Sequence, residues 1–140
     1  MKSALNISEA YSLALHATAY MASQSKNRPI SAHEMSSRLG VSEAHLSKVL
    51  QRLTRAGILR SSRGPGGGFS FSRPEGDITL LDIYESVEGP LKLADCLFET
   101  EICGRKRCIF DDLLPSVNEQ FKEYLEKTTV ESIRDVIGSD

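Results

Sequence analysis

Three cysteines, Cys96, Cys103 and Cys108, fall within thirteen consecutive residues in a C-x6-C-x4-C pattern, and they are all the cysteine the chain has. Buried structural thiols normally scatter among the elements of a core, whereas three in one charged stretch have the arrangement of ligands. A thiolate forms readily only beside positive charge, which a metal supplies and which Arg105, Lys106 and Arg107 reinforce. Three chemistries fit this spacing. A zinc ion or an iron-sulfur cluster would each take three thiolates plus one further ligand, and a thiol switch would need no metal. An enzyme would need a nucleophile beside a base, or paired carboxylates in a pocket, yet His16, His33 and His45 all lie far from the cysteines along the chain. No reaction centre assembles, so a catalyst is not expected.

The elements that must position these groups have to fit into 140 residues, enough for one core and an appended arm. Apolar residues at 40% and charged residues at 26% describe a soluble globular chain and exclude disorder, collagen-like repeats and a disulfide-packed miniprotein. No apolar run approaches a membrane span, so no membrane partner is expected. Residues 1–6 lack the apolar stretch of a secretory signal, and a reducing, cytoplasmic location is expected. The formal net charge of −2 conceals a division. Residues 26–73 carry nine Lys or Arg against Glu34 and Glu43, a net of +7; residues 74–140 carry seven against sixteen acidic residues, a net of −9. Such a split suits a protein that holds a polyanion with one half and does something else with the other.

The basic half reads as three helices. Asn6 and Glu9 have capping-box spacing, and Tyr11, Ala14, Leu15, Thr18, Met21 and Ala22 then share a helical face. After a polar connector ending at Pro29, Ser31 and Glu34 form a second capping-box pair, with Ala32, Met35 and Leu39 inward and Gly40 as the stop. Ser42 caps a third helix in which Leu46, Val49, Leu50 and Leu53 repeat at i, i+3, i+4 and i+7 before Gly57. Two helices joined by a tight glycine-containing turn make a helix-turn-helix, whose second helix lies in the DNA major groove. The outward residues of that helix, among them Ser42, Ser47, Lys48 and Arg52, suit contacts to base edges and phosphates.

Ile58–Ser61 and Phe69–Ser72 alternate as short strands around Arg63-Gly64-Pro65-Gly66-Gly67-Gly68. A hairpin after a helix-turn-helix is a wing. Its glycines, Gly64 first, allow backbone N–H groups to approach phosphate, and Arg63 can enter a minor groove. A nucleotide-binding phosphate loop is the competing assignment, but Gly-Lys-Ser/Thr is absent and the loop leads into a strand rather than a helix N-terminus.

In the acidic half, Thr79 caps a helix carrying Leu80, Ile83, Tyr84 and Val87 and ending at Gly89-Pro90. Leu114, Val117, Phe121, Leu125 and Thr128 then repeat at near-heptad spacing, a stripe fit either for a dimer seam or for packing on the first helix. Thr128 and Glu131 suggest a final short helix through Val130, Ile133 and Ile137.

Arg63-Gly64-Pro65-Gly66-Gly67-Gly68-Phe69, set after Val41–Leu46 and Leu53–Leu59 and followed by Ile78–Ile83, Val87–Pro90 and the cysteines, resembles the IscR, NsrR and CymR type of bacterial transcription regulators over nearly the whole chain. The resemblance implies a mainly α fold with a small β-hairpin wing, a winged helix-turn-helix extended by a long C-terminal dimerisation helix. On that basis residues 1–89 form the DNA-binding domain, 90–110 the cysteine-bearing loop, and 111–140 the dimerisation helix with a short terminal helix. It further implies a homodimer on double-stranded DNA, of repressor type, with an iron-sulfur cluster (2Fe-2S or 4Fe-4S) on Cys96, Cys103 and Cys108. A structural zinc site or a metal-free switch stays as the alternative.

The fourth ligand is where the chain departs from its relatives. Some relatives place a histidine three residues after the third cysteine, where Asp111 stands here. Others draw an aspartate, or a glutamate with a histidine one turn later, from the first helix of the partner subunit. The acidic position here is Ser12, while Leu13-Ala14-Leu15-His16 matches the segment that bears the histidine. His16 across a dimer, or Asp111 within the loop, would complete four ligands; otherwise His16 simply packs on its own helix.

Overall fold

Helix α1 (Glu9–Ser23) begins at Ser8, whose hydroxyl accepts from the Tyr11 N–H. Asn6, the expected cap, lies outside the residues that the computed structural model describes, which are 5, 7–24, 28–98, 100, 102–104 and 107–137. The helix is buried nearly all round rather than along one stripe: besides Tyr11, Ala14, Thr18, Met21 and Ala22, it buries Leu13, Ala17, Ala19 and Tyr20. Its alanines keep it thin. Close interaxial distances therefore become possible on several sides at once, and α2 (Ala32–Leu39), α3 (Glu43–Arg55), α4 (Leu80–Glu88) and α6 (Val130–Ile133) all pack on it.

The helix-turn-helix forms where the caps place it. The Ser31 hydroxyl accepts from the Glu34 N–H, but the Glu34 carboxylate does not close the expected capping box. It is taken instead by the Arg28 guanidinium in two hydrogen bonds of 2.8 and 2.7 Å, which hold this carboxyl below the usual range. Gly40, at φ 68°, ends α2, and the Ser42 hydroxyl accepts from the His45 N–H to start α3. Leu46, Val49, Leu50 and Leu53 are all buried.

Strands β1 (Leu59–Ser62) and β2 (Gly68–Phe71) pair antiparallel, with Leu59 opposite Phe71 and Ser62 opposite Gly68. Each is offset by one residue from the alternation read in the sequence, because the Ile58 N–H is spent on the Leu53 carbonyl that closes α3. A third backbone joins the hairpin: Ile30 N–H donates to the Phe69 carbonyl (3.0 Å) and Phe69 N–H to the Ile30 carbonyl (2.8 Å). That approach requires glycine at 68, where a Cβ would stand 2.5 Å from the Ile30 carbonyl.

A complete capping box of Thr79 and Asp82 starts α4. After an irregular stretch comes α5 (Leu113–Lys127), and then α6, which is capped by Thr129 rather than by Thr128 and continues as a 3-10 turn, Arg134–Val136. The chain returns to the core here. Val130 N–H donates to the Ile78 carbonyl and Leu80 N–H to the Thr128 carbonyl, each at 2.9 Å, and Ile78 and Val130 are buried. The fold is thus mainly α with a small β-hairpin wing on a helix-turn-helix, as expected. Among the described residues, no helix is long and apolar enough to cross a membrane.

Gly68→Ala should cost about 2–3 kcal/mol through the collision with Ile30 and lower Tm by roughly 6–10 °C, measured by thermal unfolding. An unchanged Tm would mean that the Ile30 bridge does not hold the wing.

Candidate nucleic-acid interface and cysteine loop

Recognition in a helix-turn-helix needs a rigid helix with unspent polar groups. On α3, Lys48 is exposed with no ion-pair partner among the described residues, and Ser47 is half-buried beside it. Ser42 is exposed; its oxygen accepts the α3 capping bond, which leaves its hydroxyl proton available to an external acceptor. Arg52 is exposed along its length, but its Nη1 donates to the Val87 carbonyl at 3.3 Å, so the guanidinium leans on the C-terminal turn of α4. Glu43 and His45, outward by their helical positions, have partners: His33 Nδ1 lies 3.0 Å from Glu43, and Glu9 3.7 Å from His45 Nδ1. These pairings cross between helices that the sequence shows only as separate amphipathic stretches, so no local signal reveals them.

At the wing, Arg63 and Gly64 are exposed at the turn. Gly64 and Gly66 hold φ of 87° and 75°, and a Cβ on Gly67 would meet the Ser62 carbonyl at 2.5 Å. The turn is shaped by glycines and closed by the Gly67 N–H on the Gly64 carbonyl. It therefore offers an external partner an almost bare backbone and the Arg63 guanidinium, which has no ion-pair partner among the described residues.

The described residues of the cysteine loop form no helix or strand. Cys103 is exposed, Cys96 and Cys108 are half-buried, and none is in a disulfide. Among the described residues no three His, Cys, Asp or Glu side chains gather into a metal-holding group. Arg105 and Lys106 lie outside the described residues, while Arg107 grips Asp111 through Nε (2.8 Å) and Nη2 (3.3 Å). Both Asp111 oxygens are therefore engaged, on a backbone at φ 49° that few non-glycine residues adopt. His16 is exposed on α1, and its Nδ1 stands 2.6 Å from the Ser12 carbonyl. With Nδ1–H donating there, the Nε2 lone pair faces outward, the arrangement in which a histidine serves as a ligand. A tether with no signal in the sequence is Asn118 on α5, whose amide donates to the Ala94 carbonyl (2.9 Å) and to Asp95 (3.3 Å), immediately before Cys96.

The apolar stripe of α5 divides. Leu125 is 3% exposed and Phe121 packs on the core, chiefly beside α4, whereas Leu113 and Tyr124 are 53% and 60% exposed and Val117 is exposed with them. At 100° per residue, Leu113, Val117 and Tyr124 fall on one line down the helix, next to the buried line rather than on it. Val117, expected among the stripe residues, belongs to the uncovered line. Ile109 and Phe110 extend that uncovered apolar surface into the loop.

A helix-turn-helix followed by a two-stranded wing defines a winged-helix protein of the DNA-binding class. Residues 7–135 match the Rrf2 family, described as iron-dependent transcriptional regulators, and the chain belongs to that family. It is similar to the transcriptional regulator IscR of Xenorhabdus nematophila, at 27% identity over 81% of this chain and 69% of that protein. Among solved structures it is similar to CymR of Bacillus subtilis, the global cysteine regulator, at 26% identity and a TM-score of 0.79 over 97% of this chain and 99% of that one. It is also similar to IscR of T. potens, at 25% identity and a TM-score of 0.72 over 93% and 86% of the two chains. The protein is a DNA-binding transcriptional regulator, and its relatives are regulators rather than enzymes.

In metal-free protein, Cys103 should be alkylated by iodoacetamide ahead of Cys96 and Cys108, as resolved by peptide mass spectrometry on a time course. Equal rates at all three would show that loop burial does not discriminate among them.

Proposed function

We propose that the chain acts as a homodimer that binds a near-palindromic duplex site and whose affinity is governed by an iron-sulfur cluster on Cys96, Cys103 and Cys108. One observation carries this reading. All three thiols lie between α4 and α5, on the segment joining the winged-helix core to an α5 whose outer line of Leu113, Val117 and Tyr124 is uncovered. A second copy of the chain is the natural cover for that line, and a dimer is what one short recognition helix needs to read enough base pairs. The family's description as iron-dependent and the likeness to IscR support the cluster.

The chain's own residues divide the work. Ser42, Ser47 and Lys48 meet bases or phosphates from α3, Arg52 does so from the side that leans on α4, and Arg63 with the Gly64 backbone enters the adjoining minor groove. Around the loop, the three cysteines supply thiolates and His16 of the partner subunit supplies Nε2 as the fourth donor, its ring oriented by the Ser12 carbonyl. Asp111 is the weaker candidate because Arg107 already holds both its oxygens. When bound, an iron-sulfur cluster provides a strong but chemically sensitive tie among these donors. A partner-derived ligand would link that tie to the spacing of the two DNA-reading heads, and cluster state and DNA affinity would then be coupled reciprocally.

A thiol switch without metal is the second reading, favoured by the exposure of Cys103 and by the scattered donors among the described residues. Anaerobic purification with visible spectroscopy and iron and sulfide analysis separates the possibilities. A brown protein containing both elements supports the cluster. A colourless zinc protein points to a structural metal, and a colourless metal-free protein with reversible thiol oxidation points to the switch.

In the brown form, His16→Ala should shift the visible spectrum and hasten bleaching in air, with fold and dimer retained, while Asp111→Ala does little. The opposite pattern would put the fourth ligand inside the loop. On the DNA side, Arg63→Ala should weaken operator binding and reduce the slope of log K against log salt by about 0.9 for each phosphate that is no longer neutralised. An unchanged slope would remove Arg63 from the interface.

A further inference from the structure

A cavity of about 430 Å³ opens at the base of the wing, between the hairpin, the end of α1, the 3-10 turn Glu75–Asp77 and α6. Neither α3 nor the cysteine loop lines it. The volume is within the range of small-molecule sites. Its apolar lining comes from Met21 and Ile30, both buried, and from the half-buried Phe69 and Phe71.

The charged residues around this apolar surface fall into two groups. Arg28 is engaged by Glu34 and Arg73 by Asp82 at 3.3 Å, and the buried Glu75 also has a partner within the protein. Arg60 and Glu131 are different. Both are exposed at the cavity, neither side chain has a hydrogen-bond or ion-pair partner among the described residues, and the two do not pair with each other. The Glu131 carboxylate lies over Gly76, its Oε2 only 2.6 Å from where a Cβ would stand, so the missing side chain at 76 makes room for it at the rim.

We propose that this cavity binds a small zwitterion with an apolar side chain, a molecule of the amino-acid class. Its carboxylate would meet Arg60, its ammonium would meet Glu131, and its side chain would lie on Met21, Phe69 and Phe71. Two unpaired charges of opposite sign that share a cavity without meeting are complementary to a molecule carrying both. A simple anion would leave Glu131 facing like charge. The DNA backbone is disfavoured for the same reason, and because a stiff duplex cannot follow the surface down to an apolar floor. Ile30 and Phe69, whose backbones are bridged, both line the cavity, so an occupant would brace the wing against the core.

The test uses the full chain and L-phenylalanine as probe, followed by ¹H–¹⁵N correlation spectra. Millimolar L-phenylalanine should give saturable shifts at the amides of Ile30, Ser70, Phe71 and Gly76. N-acetyl-L-phenylalanine, which lacks the ammonium, and phenethylamine, which lacks the carboxylate, should each bind about tenfold or more weakly, as should L-phenylalanine to Arg60→Ala or to Glu131→Gln. The two analogues break the same two ion pairs as the two variants, from the ligand's side and without altering the fold. Absence of saturable shifts at these amides overturns the proposal. So does equal binding of N-acetyl-L-phenylalanine, which would make the cavity an anion site, or a response of these amides to duplex DNA but not to the amino acid, which would make it part of the backbone contact.

Discussion

The structure depends on a helix that has almost no outside. Helix α1 is wrapped by α2, α3, α4 and the C-terminal segment, and it can be because alanine occupies positions 14, 17, 19 and 22, where larger side chains would hold those elements apart. Its most deeply buried phenol is secured twice: Tyr11 donates to the Leu80 carbonyl at 2.8 Å and stands edge-on to Tyr84 with ring centroids 5.0 Å apart. Burial, with Tyr84 nearby, raises the Tyr11 phenol well above its ordinary range, so it stays a neutral donor. The recognition helix and the helix leading into the cysteine loop are thus both seated on α1, and neither can be displaced far without disturbing its packing.

What is legible in the sequence follows from the range over which each signal acts. Caps and periodic faces are local, so the helix-turn-helix, the wing and the Thr79 start of α4 can be read directly. Sequence and structure part where a distant partner takes over a local group. Glu34 is spaced to close a capping box on Ser31 but answers to Arg28, which no periodicity connects with it. Val117 shares a near-heptad pattern with Leu125, and such a pattern does not tell two adjoining lines on one helix apart; only the position of α4 decides which line is covered. The all-round burial of α1 is likewise hidden, since alanine carries little weight in a hydrophobic pattern.

The cysteine loop is legible as chemistry and not as geometry. Cysteine spacing speaks about donors and their number, while the path of an irregular loop is set by contacts such as Asn118 with Ala94 and Asp95, and Arg107 with Asp111. Those contacts fix the two flanks of the loop. The segment around Cys103 stands between them, exposed.

The anchoring of α5 is lopsided. Its C-terminal end is fastened to the core by the paired backbones of Ile78–Leu80 and Thr128–Val130, and Leu125 is buried beside that joint, while its N-terminal end emerges from the cysteine loop with Leu113 uncovered. Fifteen residues at about 1.5 Å each make a rod of roughly 22 Å with its fulcrum at Thr128. A tilt of only about 5° at that fulcrum carries the far end through about 2 Å, enough to change which side chains interlock there. A push applied at the loop would therefore act at the long end of a lever, where little force is needed, and the short end bears on the paired backbones at the start of α4.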